Sequence, residues 1–592
     1  MSFWAWAVFL VATLYTIWDG VRRTVGSKTM EGFFAAGRSI PWWAAGLSVM
    51  ATQLSAITLI GGVGMGYENG LEWVQFYFAL PFAMVVLCIW FVPLYFFFKQ
   101  KTAYEYLERR FGPVTRSLTS AAFLLSRCLA FAVVLYAPAV VFSVMTGMSV
   151  TTTVWVTGIL TTAYTVLGGV GGVVWTDVKQ MVVIVLGIVV CIGVLLWDTL
   201  GQLGAGGVLS ALGAAGKLNA VEVVDPRWTM APLAKGATGV SFWSDKYNLW
   251  TGLFGTLFLF LSYFGCDQSQ VQSLLTSKSV DASRRALLMS AFTKIPLQLL
   301  VLLMGGLLFV HHALGREPVL FSPEDQAIAQ QLRGEPRAAY EKAAAEHEAA
   351  SAARQAAMRS MVLGAGQQDA AAATAQYRLA TKQAAAARSA ARSAVHADEL
   401  AAAKARGESA SAPSDSNFVF PDFLFRELPQ PVLGLMLAAI FAAAISSAAG
   451  ALSSLTSATM VDFYRRWLAP RASEQSALRM SRVVMAVWGI LATAAGAWLG
   501  GGSVLELVNE FGSFFYGSIL GVFVLALLVP RASGVAASAG LLTGLAGTFL
   551  VHFTMQIAFL WYNLIGCVFC VVVGWLVSWF APRQVGATTF VR

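Results

Sequence analysis

Charge is what this chain has least of. Only 12% of its 592 residues are Asp, Glu, Lys or Arg, while 57% are hydrophobic. That is about half the charge a soluble domain carries, so a soluble enzyme is excluded. Histidine is scarce, at five residues, and the six cysteines (88, 128, 191, 266, 567, 570) all fall within or at the ends of apolar segments. Cys567 and Cys570 have CxxC spacing without a nearby histidine or a second pair, which favours side-chain packing over metal or redox work. No Gly-rich nucleotide loop and no nucleophile–base constellation can be found, so the chain reads as a non-enzyme.

What it has instead is long apolar runs from end to end. About thirteen are long enough to cross roughly 30 Å of hydrocarbon as helices: 3–20, 41–66, 72–98, 115–145, 149–170, 173–197, 248–271, 286–312, 430–458, 480–500, 503–529, 534–554 and 557–580. The lipid bilayer is therefore the first partner. The net charge of +9 gathers in connections after alternate spans, which argues against nucleic acid. These are Arg22, Arg23, Lys28 and Arg38; Lys99, Lys101, Arg109 and Arg110; Lys278, Arg284 and Arg285; Arg465, Arg466, Arg471, Arg479 and Arg482; then Arg531 and Arg583. The connections 67–71 and 501–502 have none. The positive-inside rule then predicts an N-terminus outside and a C-terminus in the cytoplasm. No positive residue precedes the first run and Arg22–Arg23 follow it, the reverse of a secretory signal, so a retained span in a plasma membrane, bacterial for want of organelle targeting, is expected.

Two stretches break the apolar pattern. Residues 198–244 are Gly-rich with mixed charge, and 313–428 are dominated by Ala with Glu, Arg, Gln and Lys; both are expected outside. Within the second, 323–408 reads as a polar helical hairpin, with 364–366 (GAG) as its turn, or as a partly disordered arm.

Polar residues inside apolar spans point to sites. Ser446 and Ser447 form an adjacent pair in a span that must cross lipid, where hydroxyls bond to backbone, to another helix or to an ion. The span PWWAAGLSVMATQLSAITLIGGVGMGYENG (41–70) holds Thr52, Gln53, Ser55 and Thr58 ahead of Gly61, Gly62, Gly64 and Gly66. Such a helix can unwind midway and offer carbonyls to a cation, or its glycines can serve close helix contact. Asp177, beside Lys179 and Gln180, can serve a cation's exit path, a helix cap or an interfacial ion pair.

Five segments then agree with one family: LSVMATQLSAITLIG (47–61), TAYEYLERRFG (102–112), YTVLGGVGGVVWTDVKQ (164–180), FGCDQSQVQSLLTSKS (264–279) and AAAISSAAGALSSLTSATMVDFY (442–464). Together they resemble the sodium:solute symporter family, which includes carriers of sugars, proline, iodide, monocarboxylates, vitamins and sialic acid. The resemblance implies an all-α polytopic membrane protein with a LeuT-type five-plus-five inverted repeat and broken first and sixth core helices. Residues 1–39 would hold a leading span and a cytoplasmic loop. The first repeat would run over 40–197, an external loop over 198–244, and the second repeat over 245–529, interrupted by 313–428. Two peripheral spans and a short tail would occupy 530–592.

The resemblance also implies sodium as the co-transported ion, held by the carbonyls of Ala51, Leu54 and Ala443 and the hydroxyls of Ser446 and Ser447, with Asp177 on its release route. Relatives with a second sodium use hydroxyls where this chain has Ala449 and Gly450, so one sodium per cycle is expected. Gln53, Ser55, Thr58, Tyr77, Phe260, Tyr263, Lys294 and Asn509 would meet a small-molecule solute. Thr58, Tyr77 and Phe260 replace the polar set of the sugar carriers, which favours an organic anion or another non-sugar metabolite over a sugar. For Tyr263 and Lys294, side-chain packing and snorkelling to headgroups stay open as alternatives. A transporter-like solute sensor is the rival of another class, although the stretch after 580 is short for an effector domain.

Overall fold

The computed structural model describes residues 2–24, 41–98, 102–168, 173–235, 237, 239–275, 277–315, 317–363, 367–405, 412–499 and 503–581. Lys28, Arg38, Lys99, Lys101, Arg583, the connection 501–502, the turn at 364–366 and the boundary at 39–40 lie outside these, as does the side chain of Thr52. The described residues are almost wholly helical, with four strands of two residues each on connecting segments. Among the described residues nine helices are long and apolar enough to cross a membrane, and Phe3–Tyr15, Trp42–Ala51 and Thr251–Gly265 are shorter apolar helices. The nine do not include 3–20, whose apolar part is Phe3–Tyr15, or 149–170, which forms Val150–Gly168; the runs 41–66 and 248–271 are each interrupted. The run 41–66 also continues through a tight turn at Gly70–Tyr77 into the next run.

The first interruption divides Trp42–Gln53 from Ala56–Asn69 at Leu54 (φ −92°, ψ 58°) and Ser55 (φ −81°, ψ 177°). A helix end leaves its last carbonyls without intrahelical partners. Here the Gln53 carbonyl accepts from Thr58 Oγ1 at 2.6 Å and from Lys294 Nζ at 3.1 Å. The glycines lie beyond the break and do a different job. A Cβ at Gly64 would meet the Ser416 carbonyl oxygen at 2.5 Å, and one at Gly66 would strike the Leu302 carbonyl, so only glycine lets these backbones approach.

The second interruption separates Thr256–Gly265 from Gln268–Leu275, with Cys266 at φ −124° and ψ −17°. The segment TAYEYLERRFG supports it. Tyr104 donates its hydroxyl to the Cys266 carbonyl at 3.0 Å, and the Ala103 amide donates to Gln268 Oε1 at 2.9 Å. Tyr95, from the preceding helix, donates to the Gly265 carbonyl.

The insertion folds as helices Pro323–Gln331, Gly334–Leu363, Gln367–Val395 and Ala397–Ala405. Its two long helices form a hairpin whose buried alanines recur at sevens, Ala343, Ala350 and Ala357 on one helix and Ala373, Ala380, Ala387 and Ala394 on the other. Small residues at that spacing let two helices lie close along one seam. We call this element the arm.

Candidate functional site

Three helices converge at the first break: Trp42–Gln53, Gln430–Ala458 and Val173–Ala214. Asp177, 1% exposed, joins them. Ser48 Oγ donates to Asp177 Oδ2 at 2.5 Å, and Ser446 Oγ donates to Oδ1 of the same carboxylate. Asp177 thus belongs neither to a helix cap nor to an interfacial pair with Lys179. Ser447, the other member of the serine pair, is buried and its hydroxyl has no hydrogen-bond partner among the described residues. An orphaned buried hydroxyl is unfavourable unless something occupies its lone pairs. Ala51, Leu54 and Ala443 are all buried at the same junction of helices. Ala449 is buried and a Cβ at Gly450 would meet open space, so neither adds a side-chain oxygen.

Beside the break lies a cavity of about 110 Å³. It is lined by all eight residues expected to meet solute: Gln53, Ser55, Thr58, Tyr77, Phe260, Tyr263, Lys294 and Asn509. Ser447 reaches the same space, while Ser446 turns to Asp177, so one serine of the pair and the break share one cavity. A volume several times the 10–15 Å³ or so that admits one water suits a small solute. Tyr77 stacks on Phe260 with ring centres 6.1 Å apart, which makes one wall aromatic. Tyr263 accepts from Gln270 Nε2 at 2.8 Å. Asn509 turns its amide donor to the Leu505 carbonyl at 2.7 Å, which leaves its oxygen for other donors.

Lys294 does not snorkel. It sits midway along Val280–Ala313, is 1% exposed, and holds its ammonium against the Gln53 carbonyl and 5.6 Å from the Tyr77 ring centre. Among the described residues no carboxylate pairs with it. A buried lysine nitrogen with one hydrogen bond among the described residues keeps donor capacity for a solute.

Sequence reasoning passed over Arg127, Phe76 and Tyr516, which also line the cavity. Arg127 is buried, and among the described residues its Nε has no hydrogen-bond partner and its paired carboxylate, Asp267, is 3.8 Å away. The available signal was an arginine in the middle of the apolar run 115–145, which membrane energetics marks as functional by default.

The model of the sodium:solute symporter family matches residues 33–344 and 368–544. The chain belongs to the sodium:solute symporter family. Its members are transporters, so sodium is the co-transported ion, the partner is a small-molecule solute and the protein is a multi-pass membrane protein. The sodium/sialic acid symporter NanT of Aliivibrio fischeri is 25% identical over 566 residues, 94% of this chain and 90% of the relative. The human sodium/iodide cotransporter is 29% identical over 297 residues, 48% of this chain and 42% of that one. The solved structure of a Na+-coupled sialic acid symporter in a substrate-bound outward-open state superposes with a TM-score of 0.71 at 22% identity, covering 98% of this chain and 99% of that one. The fold is thus the LeuT-type all-α fold that the motifs imply, with the first and sixth core helices broken.

Proposed function

We propose that this protein imports a small organic anion with one sodium ion per cycle, by alternating access. The observation that carries this reading is the pairing of two unlike features in one cavity. The Ser447 hydroxyl, without a hydrogen-bond partner among the described residues, and the Lys294 ammonium, paired with no described carboxylate, line one cavity beside the broken helix. The first suits a hard cation seeking several oxygens. The second, with Arg127 nearby, suits a carboxylate or a comparable anion. Similar proteins whose names mention sialic acid and iodide, both anions at neutral pH, lean the same way.

In this reading the carbonyls of Ala51, Leu54 and Ala443 and the hydroxyls of Ser446 and Ser447 hold the sodium. Asp177 receives it on release, since its carboxylate already touches Ser446. Gln53, Ser55, Thr58, Tyr77, Phe260, Tyr263, Lys294 and Asn509 bind the solute. Bound sodium ties the first and eighth core helices together and organises the break. Rocking of the two repeats, 40–197 and 245–529, then exposes both ligands to the other side. The N-terminus and the arm stand outside a plasma membrane, and the C-terminus faces the cytoplasm.

A thermal-shift screen of small carboxylates and sugars, run in sodium and in choline, tests this. The expected ligand is a carboxylate that stabilises the protein only in sodium. A neutral sugar as the sole sodium-dependent ligand would overturn the anion, and ligands equally effective in choline would overturn the coupling.

A further inference from the structure

We propose that the arm is a latch on the second half of the broken first helix, Ala56–Asn69, with Glu317 as its bolt. The inference rests on the transport reading, since it requires that half-helix to move. Tyr67, near the end of the half-helix, donates its hydroxyl to Glu317 Oε1 at 2.5 Å. Arg354 lies 2.5 Å from Glu317 Oε2, and Arg388 lies 3.5 Å from Oε1. These arginines come from the two different helices of the hairpin. One carboxylate therefore ties three helices together. A second contact lies one residue on, where Ser414 Oγ donates to Glu68 Oε1 at 3.0 Å. The arm also reaches the helix that carries Asp177, because Arg378 Nε donates to the Ala214 carbonyl at 3.1 Å. It thus bridges the half-helix and an element outside it.

The chemistry suits a contact that holds and yet releases. Burial alone would raise the pKa of Glu317, but the Arg354 and Arg388 guanidiniums hold it at about 2, so it is an acceptor at any physiological pH. The Tyr67 ring is enclosed by Phe309, His312 and Phe321, each with its ring centre within 5.7 Å. If the half-helix moves without the arm, the Tyr67 hydrogen bond breaks. Glu317 keeps both arginines, so no unpaired buried charge results and the break is affordable within a cycle.

The test is hydrogen exchange on the full-length protein in phosphatidylethanolamine–phosphatidylglycerol vesicles, in choline and in sodium, for wild type, Tyr67→Phe and Ser414→Ala. Tyr67→Phe keeps the ring and removes only the hydroxyl. Losing a hydrogen bond to a charged group predicts that amides at 62–69 exchange about tenfold faster or more, while hairpin amides stay within about twofold of wild type. Ser414→Ala predicts a smaller change of the same kind. Exchange at 62–69 within about twofold of wild type in both variants would overturn the latch. Failure of the transport reading looks different, because sodium would then alter exchange nowhere in any of the three proteins.

Discussion

Ser446 and Ser48 donate to the two oxygens of one carboxylate, that of Asp177. The helix carrying the serine pair is thereby pinned to the first half of the broken helix through a third element. Any separation of these two helices must pass through this bridge. Asp177→Asn keeps the shape but leaves one acceptor oxygen and no charge, so one serine loses its acceptor and the proposed ion route loses its anion. The expected outcome is an apparent sodium affinity at least about tenfold weaker, read from sodium titrations of the melting temperature. An unaltered sodium curve would remove Asp177 from the ion's route.

Lys294 is the most exacting test of the anion. Lys294→Met retains the buried stem and deletes the ammonium. Uptake of the anionic solute should fall by about a hundredfold or more, while sodium binding without solute stays within about threefold of wild type. Equal loss of both would mean that the lysine only supports the break through its bond to the Gln53 carbonyl.

Solute charge can also be read from voltage. One elementary charge crossing 100 mV is worth about 2.3 kcal/mol. A monovalent anion moving with one sodium carries no net charge, so an imposed potential should leave uptake into proteoliposomes unchanged. Acceleration by an inside-negative potential would point to a neutral solute or to a second sodium.

The arm should respond to pH through His396. The hydrogen bond to Asp325 raises its pKa, partial burial opposes this, and Glu399 adds to the rise. With a folded value above the unfolded 6.5 or so, its contribution is full below about pH 6.5 and is lost as pH climbs through the folded value. Glu317 has the opposite sign, with full contribution above about pH 4.5 and loss only on approach to about 2. Between pH 6 and 8, protection at 396–405 relative to the intrinsic base-catalysed exchange rate should therefore fall in wild type and stay level in His396→Gln. Identical slopes would show that His396 does not hold this corner.

Particular residues show how much of this was legible in advance. The serine pair at 446–447 and the polar cluster at 52–58 announced a site, because hydroxyls and amides in lipid must find partners. All eight expected solute residues line one cavity. The glycine run was legible as an irregularity but not as to its purpose: the backbone breaks at Leu54–Ser55, and Gly64 and Gly66 serve close approach to Ser416 and Leu302. No local pattern in FGCDQSQ announces a break at Cys266, since what sustains it is Tyr95 and Tyr104, some 160 residues away in sequence. Arg127 was visible as a charge in an apolar run, yet its place in the cavity depends on how the helices meet.

The central claim is that sodium sits between the broken helix and the serine pair, and it can be tested without knowing the solute. Binding of radioactive sodium to the purified protein should saturate at one ion per chain and be abolished in Ser447→Ala. In choline that variant should melt no lower than wild type, because the lost hydroxyl had no partner among the described residues. Sodium binding that persists unchanged in a folded Ser447→Ala protein would contradict the account.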